Sequence, residues 1–269
     1  MTFKEIKADI TIVVTTCSDY SDLWNNYIIL LDKYWPNHPD IVFVSDGKPD
    51  AFKTFPYQIF VETGDYSFRL KSCLRKIKTR YVFLTLDDYL INSPVKDKKI
   101  EDLVQLMDSS NIKYCRLFHR AKTDPWFDKD RSLKVLPLTK SCYEVNLYTS
   151  IWDREALINI INLDENPWKF EVRLTRRARE REYKCISCID LSIYPFMDTI
   201  RKGKYLRKAY KFLRNNNLFI SNRKVRSRWE EFKLFIRTTV SDLAPMWFHK
   251  WYNKIAKEKP FSYYADNDE

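Results

Sequence analysis

The chain has 269 residues, of which 45% are hydrophobic and 31% charged, so it can build one large core. Its only glycines are Gly47, Gly64 and Gly203, which excludes both the glycine-rich turn of dinucleotide-binding proteins and the phosphate loop of P-loop ATPases. The net charge of +11 is uneven, because residues 1–198 carry 30 Lys and Arg against 29 Asp and Glu, and residues 199–269 carry 17 against 7. We therefore predict a domain over residues 1–198 and a basic, aromatic-rich helical region over residues 199–269.

Apolar runs and helical spacings alternate through the first hundred residues. Short β-branched runs predict buried strands, and apolar residues every three or four positions predict helices. The predicted strands are 10–16, 41–45, 57–62 and 81–86, and the predicted helices are 19–34, 67–79 and 97–110. Apolar strands that alternate with helices are typical of a mostly parallel sheet covered on both faces, so we predict an α/β fold.

The second half of the chain is less regular. We predict strand-like pieces at residues 112–118 and 142–148 around a polar loop, and a helix at residues 152–161. Cys185 and Cys188 form a lone C-x-x-C, which a zinc site would have to supplement with two further ligands, so two buried thiols on a strand are the simpler interpretation. The remaining cysteines are interpreted as small core residues: Cys17, Cys73, Cys115 and Cys142.

Two adjacent carboxylates, Asp87 and Asp88, end the predicted strand 81–86. Neighbouring like charges repel, and a divalent cation or hydroxyl donors would relieve the repulsion. A turn or a helix cap is the structural alternative, since aspartate is favoured at both. Thr15, Thr16 and Asp46 also follow predicted strands, and ligands of parallel sheets bind beyond the carboxyl ends of the strands.

Several segments between residues 10 and 205 together resemble a family of bacterial capsule and lipopolysaccharide glycosyltransferases with the GT-A fold. These segments are TIVVTTCSDY, LDKYWP, VFVSDG, YVFLTLDDYLI, NLYTSIWDREALINIINLDENPWKFE and IRKGKY. The resemblance implies a Rossmann-like nucleotide-sugar-binding domain that transfers a sugar from a nucleotide donor, with UDP-sugar the commonest in such enzymes. The implied acceptor is a surface polysaccharide, lipopolysaccharide or O-antigen precursor.

The resemblance also assigns donor-binding residues. Thr15, Thr16 and Asp46 would line the nucleotide, and Asp87 and Asp88 occupy the place of the acidic motif that contacts ribose and diphosphate. This chain has two adjacent acids where the usual pattern is Asp-any-Asp, so Asp88 is the one candidate ligand for Mn²⁺ or Mg²⁺, or the enzyme uses no metal.

Arg69 and Lys71 could neutralise the donor phosphates, although a solvated helix face explains most basic residues there.

Glu171 is the implied general base, because it follows an aromatic segment after the acidic motif. Trp168 could stack on the apolar face of a sugar. Alternatively, Glu171 pairs with Arg173 or Arg176 on a surface turn. Asp153 is a weaker candidate for the base, and it could instead begin a helix, where an acid suits the helix dipole.

The basic region suggests a peripheral membrane protein on the inner face of the plasma membrane. Cations interspersed with aromatic residues suit an anionic membrane surface, and we assign that contact to residues 199–260, including Trp247, Phe248, Trp251 and Tyr252. A basic helix packed on the domain is the alternative. The N-terminus resembles no signal peptide and no run of 18 apolar residues occurs, so we expect a cytoplasmic location.

Two other functions are compatible with the composition. A nucleic-acid-binding protein could use the basic region, but residues 1–198 are nearly neutral and contain no binding motif, so we expect no nucleic-acid partner. A sugar nucleotidyltransferase would normally carry a glycine-rich loop after the first strand, and Thr15 is followed here by Thr-Cys-Ser.

Overall fold

The computed structural model describes residues 9–118, 124–129, 131–138 and 143–243. The strands are β1 (Ile10–Thr15), β2 (Ile41–Ser45), β3 (Gln58–Val61), β4 (Tyr81–Leu86), β5 (Tyr89–Ile91), β6 (Ile112–Arg116), β7 (Leu133–Val135), β8 (Ser150–Asp153), β9 (Lys184–Cys188), β10 (Phe196–Asp198), β11 (Ile200–Arg201) and β12 (Lys204–Tyr205). The α-helices are α1 (Trp24–Tyr34), α2 (Tyr66–Lys76), α3 (Asp97–Ser109), α4 (Arg154–Ile160), α5 (Pro167–Glu180), α6 (Arg207–Asn215) and α7 (Arg228–Leu243), and two 3₁₀ turns cover Ser18–Leu23 and Asp50–Phe52.

Eight strands form the central sheet in the order β3-β2-β1-β4-β8-β6-β9-β7. The first four are parallel, as their unbroken apolar runs predict, and β1 lies between β2 and β4. The register pairs Thr15 with Leu86, so the ends of β1 and β4 lie side by side. The prediction of a mostly parallel α/β sheet is confirmed.

The strand β8 enters this sheet antiparallel to both β4 and β6. The predicted strand over 142–148 is wrong for its described residues, 143–148. There the side chain of Asn146 accepts from the Tyr148 N–H at 3.1 Å and donates to the Tyr143 carbonyl at 2.9 Å, which favours a turn. All of β8 is buried, and the helix predicted from residue 152 begins after it, at Arg154.

The strand β9 contains Cys185 and Cys188, both buried, which confirms two thiols on a strand. Cys73 and Cys115 are also buried, whereas Cys17 is partly exposed and Cys142 lies outside the described residues. Sequence reasoning did not predict β7, which is short and whose lysine in LKV interrupts the apolar pattern that marks a buried strand.

Alternate side chains of β1 enter two separate cores. Ile10, Ile12 and Val14 pack against α1 and α3 on one face, and Val13 packs with residues of α2, α4 and α5 on the other. This alternation follows from the period of two along a strand. The sheet is therefore covered on both faces, and a ligand can reach it at the ends of its strands.

Residues 199–225 belong to the first of these cores. Tyr205, Ala209 and Leu213 are completely or almost completely buried in it. Asn26 of α1 exchanges two hydrogen bonds with the backbone of Phe219, at 2.6 and 3.0 Å. The division of the chain at residue 198 stays a prediction based on charge, but the basic region begins inside the packed structure.

No helix within residues 9–118, 124–129, 131–138 and 143–243 is long and apolar enough to cross a membrane.

One buried ion pair joins α5 to the segment before it. Glu165, 2% exposed, accepts from Arg177 at 2.7 Å and from Arg173 at 2.8 Å, and its backbone pairs with Ser67 of α2. Arg177 is only 7% exposed, so its charge would remain buried if the carboxylate were removed.

We therefore expect Glu165→Gln to lower the free energy of unfolding by about 3 kcal/mol, because it leaves Arg177 without its counter-charge. Urea denaturation followed by circular dichroism measures the change. Lys53→Ala is the control: it breaks an exposed pair with Asp50 and should change the free energy by less than about 0.5 kcal/mol. Equal effects of the two substitutions would contradict the assignment.

Candidate active site

A cavity of about 360 Å³ opens at the carboxyl ends of β1 and β4. It is lined by Thr15, Thr16, Cys17, Tyr20, Tyr66, Arg69, Leu86, Asp87, Asp88, Tyr89, Leu147, Pro167, Trp168 and Glu171. Seven of the ten residues that the sequence singled out for donor binding or catalysis are among them. The topology thus gathers residues from β1, β4, α2 and α5 at one edge of the sheet.

Asp87 is 5% exposed and is held by a relay of hydrogen bonds. The Thr16 hydroxyl donates to Asp87 Oδ2, and the Trp24 indole N–H donates to the Thr16 oxygen at 2.9 Å. Burial raises the pKa of Asp87 to about 7, although the bonds from Thr16 and Trp24 oppose the rise. Thr16 therefore faces the cavity and positions Asp87 at the same time.

Asp88 lies next to Asp87 on the turn into β5. Its Oδ1 atom is buried and has no hydrogen-bond partner among the described residues. Burial, followed by the charges of Asp87 and Asp198, raises the pKa of Asp88 well above its usual range. The Asp88 carbonyl accepts from the Thr199 N–H at 2.9 Å, which ties the site to the start of the basic region.

Asp198, which sequence reasoning did not single out, influences the pKa of Asp88 but is not among the cavity-lining residues. It ends β10, which pairs with β5 so that Asp198 is opposite Tyr89. Burial raises the pKa of Asp198, while Arg201 at 3.0 Å opposes the rise. No local pattern connects residues 88 and 198, since only the pairing of two three-residue strands brings them together.

The acidic residues fit a divalent cation in part. Within the described part of the chain, no group of three or more His, Cys, Asp or Glu side chains is arranged to hold a metal ion. However, Mg²⁺ and Mn²⁺ can be bound through one or two carboxylates together with water and substrate phosphates. The unpartnered Oδ1 of Asp88, beside a second buried carboxylate, suits that arrangement.

The first two turns of α5 carry Trp168 and Glu171. Asn166 caps the helix by accepting from the Lys169 N–H at 2.9 Å, and Pro167 occupies its first turn, where a missing N–H does no harm. Glu171 Oε1 accepts from the Leu147 N–H at 3.1 Å. Trp168 is 75% exposed at the rim of the cavity. A carboxylate and an exposed indole therefore face the acidic pair from another element.

The alternative pairing partners of Glu171 have other contacts. Arg173 binds Glu165 at 2.8 Å, and Arg176 lies 3.5 Å from Glu180. Burial raises the pKa values of Tyr66 and Tyr89, both of which line the cavity, and the charge of Glu171 adds a smaller part to the rise.

Arg69 lines the cavity and donates to the Gly64 carbonyl at 2.7 Å. Asp46, at the end of β2, is exposed beside the cavity and accepts from the Ser18 N–H at 2.7 Å. Although burial raises its pKa, the bonds from Ser18 and the charge of Arg69 hold the pKa of Asp46 below its usual range. Asp46 therefore orders the loop after β1 and is not among the cavity-lining residues.

Lys71 and Asp153 lie away from the cavity. Lys71 donates to the Ile161 carbonyl at 2.8 Å. Asp153 is paired in register with Tyr81 at the start of β4, so it lies at the opposite edge of the sheet from Asp87. There it caps α4 by accepting from the Ala156 N–H at 3.0 Å and pairs with Lys113 at 2.8 Å, beside a larger cavity of about 610 Å³. Its geometry is that of the helix cap considered as the alternative.

Tyr20 is a second residue that sequence reasoning did not single out. It lines the cavity, and the guanidinium of Arg223 lies 4.4 Å from the centre of its ring. Arg223 also binds Asp22 with two bonds of 2.7 Å. The basic region thus supports one wall of the cavity.

The raised pKa of Asp87 predicts how stability depends on pH. Between about pH 4 and 7 the folded chain keeps a proton that the unfolded chain has lost, so stability should fall as pH rises through this window. We expect the metal-free protein to lose on the order of 3 kcal/mol of unfolding free energy from pH 5 to 8. Urea denaturation with a chelator at both pH values tests this. Asp87→Asn should reduce the slope and leave the part contributed by Asp88 and Asp198, whose pKa values are also raised, and an unchanged slope would contradict the assignment.

The fold agrees with solved structures at low sequence identity. No protein-family model matches the chain, and no curated protein matches it. TarS from S. aureus is 14% identical with a TM-score of 0.50, covering 93% of this chain and 48% of that one. TarS 1–349 in complex with UDP-GlcNAc is 16% identical with a TM-score of 0.50, covering 93% and 80%.

A mannosyltransferase, PcManGT from Pyrobaculum calidifontis in complex with GDP-Man and Mn²⁺, is 13% identical with a TM-score of 0.44, covering 72% of this chain and 58% of that one. The chain thus spans about half the length of the full TarS structure. The sheet described above and its likeness to TarS show an α/β fold of the GT-A type.

Proposed function

We propose that the protein transfers a sugar from a nucleotide-sugar donor to a glycan or lipid-linked glycan acceptor. The observation that carries this proposal is the meeting of Asp87 and Asp88 with Glu171 and Trp168 around one cavity at the ends of β1 and β4. The fold supports it, because a TarS structure of the same fold holds UDP-GlcNAc. A UDP-sugar is therefore the first donor to test.

The acidic end of the cavity would hold the donor. Thr15 and Thr16 close its floor, and Tyr20 and Tyr66 provide rings beside them. Asp88, with Asp87 beside it, would hold a Mg²⁺ or Mn²⁺ ion, which when bound would offset the charge of the donor diphosphate. Arg69 adds a fixed positive charge to the same cavity.

Glu171 would act on the acceptor. Its carboxylate takes the proton of the acceptor hydroxyl as that oxygen attacks the anomeric carbon. The bond from this carbon to the diphosphate oxygen breaks, and the nucleoside diphosphate leaves with the bonding electron pair. Attack on the face opposite the departing diphosphate would invert the anomeric configuration. Trp168, exposed at the rim, would hold a sugar ring by stacking.

The acceptor class is inferred from the resemblance in the sequence. We propose a capsule, lipopolysaccharide or O-antigen precursor, presented at the cytoplasmic face of the plasma membrane. The enzyme would attach there peripherally through residues 199–260, of which those from 244 onward lie outside the described residues, including Trp247, Phe248, Trp251 and Tyr252.

We expect Asp88→Ala to abolish transfer while the protein stays folded, because the substitution removes a buried carboxyl group that has an oxygen without a partner in the described chain and would hold the donor's cation. Release of nucleoside diphosphate from a panel of UDP-, GDP- and CMP-sugars, with and without Mn²⁺, measures activity. Asp50→Ala is the matched control, since that side chain is exposed on a surface turn. Full activity of a folded Asp87→Ala/Asp88→Ala variant would refute the proposal.

For Glu171→Gln we expect a kcat lower by at least about a hundredfold with donor binding retained, because the amide keeps the shape of the side chain but cannot accept the proton. Steady-state kinetics and a thermal shift with donor separate the two effects. Asp153→Asn, at the opposite edge of the sheet, should leave kcat within about twofold. If the Asp153 substitution is the damaging one, Glu171 is not the base.

A further inference from the structure

The helix α7 presents large apolar side chains to solvent. Trp229, Phe232, Phe235 and Ile236 are 61%, 50%, 64% and 44% exposed. Their spacing of three and four residues places them on one side of the helix, which we call the aromatic face of α7. Trp229 also stacks on Phe232, with ring centres 5.7 Å apart.

The contacts of α7 with the rest of the chain hold this face outward. Glu230 binds Lys204 at 2.7 Å, and its second oxygen accepts from the Ser227 N–H at 2.8 Å. Glu231 accepts from the Arg207 N–H at 2.6 Å. Both acids of the first turn therefore point toward the protein. A helix that covered its own domain with its apolar side would have the opposite orientation, with acids in solvent and aromatic rings inside.

The segment that carries the aromatic face is rich in positive charge. Residues 199–236 contain 12 Lys and Arg against only Glu230 and Glu231, and both acids are engaged as described. Arg228 and Lys233 are exposed on α7, and the Lys233 Nζ lies 5.1 Å from the centre of the Trp229 ring. On α6, the exposed cations are Arg207, Lys208, Lys211 and Arg214.

We propose that the aromatic face of α7 inserts into the headgroup layer of an anionic bilayer while the cations of α6 and α7 contact lipid phosphates. Exposed aromatic rings flanked by Lys and Arg are the composition of helices that lie in the membrane interface. A second copy of this chain fits less well, because it would bring the same dense positive charge against itself. The proposal specifies how the membrane attachment above is made, and it is independent of the transfer reaction.

Co-sedimentation of the full-length chain with vesicles tests the proposal. We expect binding to phosphatidylglycerol vesicles and little binding to phosphatidylcholine vesicles, weakening as salt rises because screening reduces the electrostatic part. Phe232→Ser/Phe235→Ser should raise the dissociation constant for the anionic vesicles at least tenfold. The matched control is Ile29→Ser/Leu163→Ser, which removes two apolar side chains elsewhere that are each about half exposed, and it should bind like the original protein.

Unchanged vesicle binding by Phe232→Ser/Phe235→Ser would overturn the proposal. So would a wild-type protein that ignores anionic vesicles and forms an oligomer that this double variant dissolves, because the face would then be a protein interface. If the double variant fails to fold, insertion of Trp229 can be tested by the quenching of tryptophan fluorescence by brominated phosphatidylglycerol. The lipid should quench the wild-type tryptophan emission more than that of Trp229→Phe, and equal quenching would place Trp229 outside the bilayer and refute the insertion. Loss of transfer activity with intact vesicle binding would count only against the proposed reaction.

Discussion

The hydrogen bond from Thr16 to Asp87 joins the ends of the two central strands, and the candidate site depends on it. Because β1 and β4 are parallel neighbours in register, the residue after β1 meets the residue after β4. Trp24 completes the relay from the first helix, so the sheet and α1 together hold a carboxylate that water would otherwise solvate. Asp88 follows directly and keeps one oxygen without a partner in the described chain. The packing thus holds two buried carboxyl groups side by side, and a bound cation would stabilise their ionised forms.

The second half of the site comes from a different part of the fold. The helix α5 begins at a capped turn and is fixed behind its first turns by Glu165 with Arg173 and Arg177. The two acids of this segment therefore have different roles. Glu165 forms ion pairs that stabilise the fold, and Glu171, the proposed base, lines the cavity. The acidic pair and Glu171 are therefore held at the cavity by different elements of the fold.

The sequence predicted the parts of this arrangement that depend on local pattern. Unbroken apolar strands located β1 to β4, and the position of Asp87 and Asp88 at a strand end located the cavity, because parallel strand ends meet at one edge. The direction of a strand in the sheet was not predictable from the local sequence: β8 runs antiparallel to β4, so Asp153, which ends β8, lies at the far edge of the sheet. Asp198 comes next to the site only through the pairing of β10 with β5, which periodicity along a chain does not encode. Tyr20 lies in the turn that follows β1, and no periodic pattern marks it as a cavity residue.

Residues 199–226 are held to the sheet at several places. The Thr199 N–H donates to the carbonyl of Asp88, and Asn26 donates to the backbone carbonyl of Phe219. Arg223 forms an ion pair with Asp22 next to the cavity. These contacts pack the segment against the domain and do not leave it as a flexible linker, so the position of α7 is fixed relative to the cavity. Under the proposed membrane attachment, these contacts would hold the cavity at a set height above the lipid surface, and that height would restrict which acceptor groups the cavity can reach.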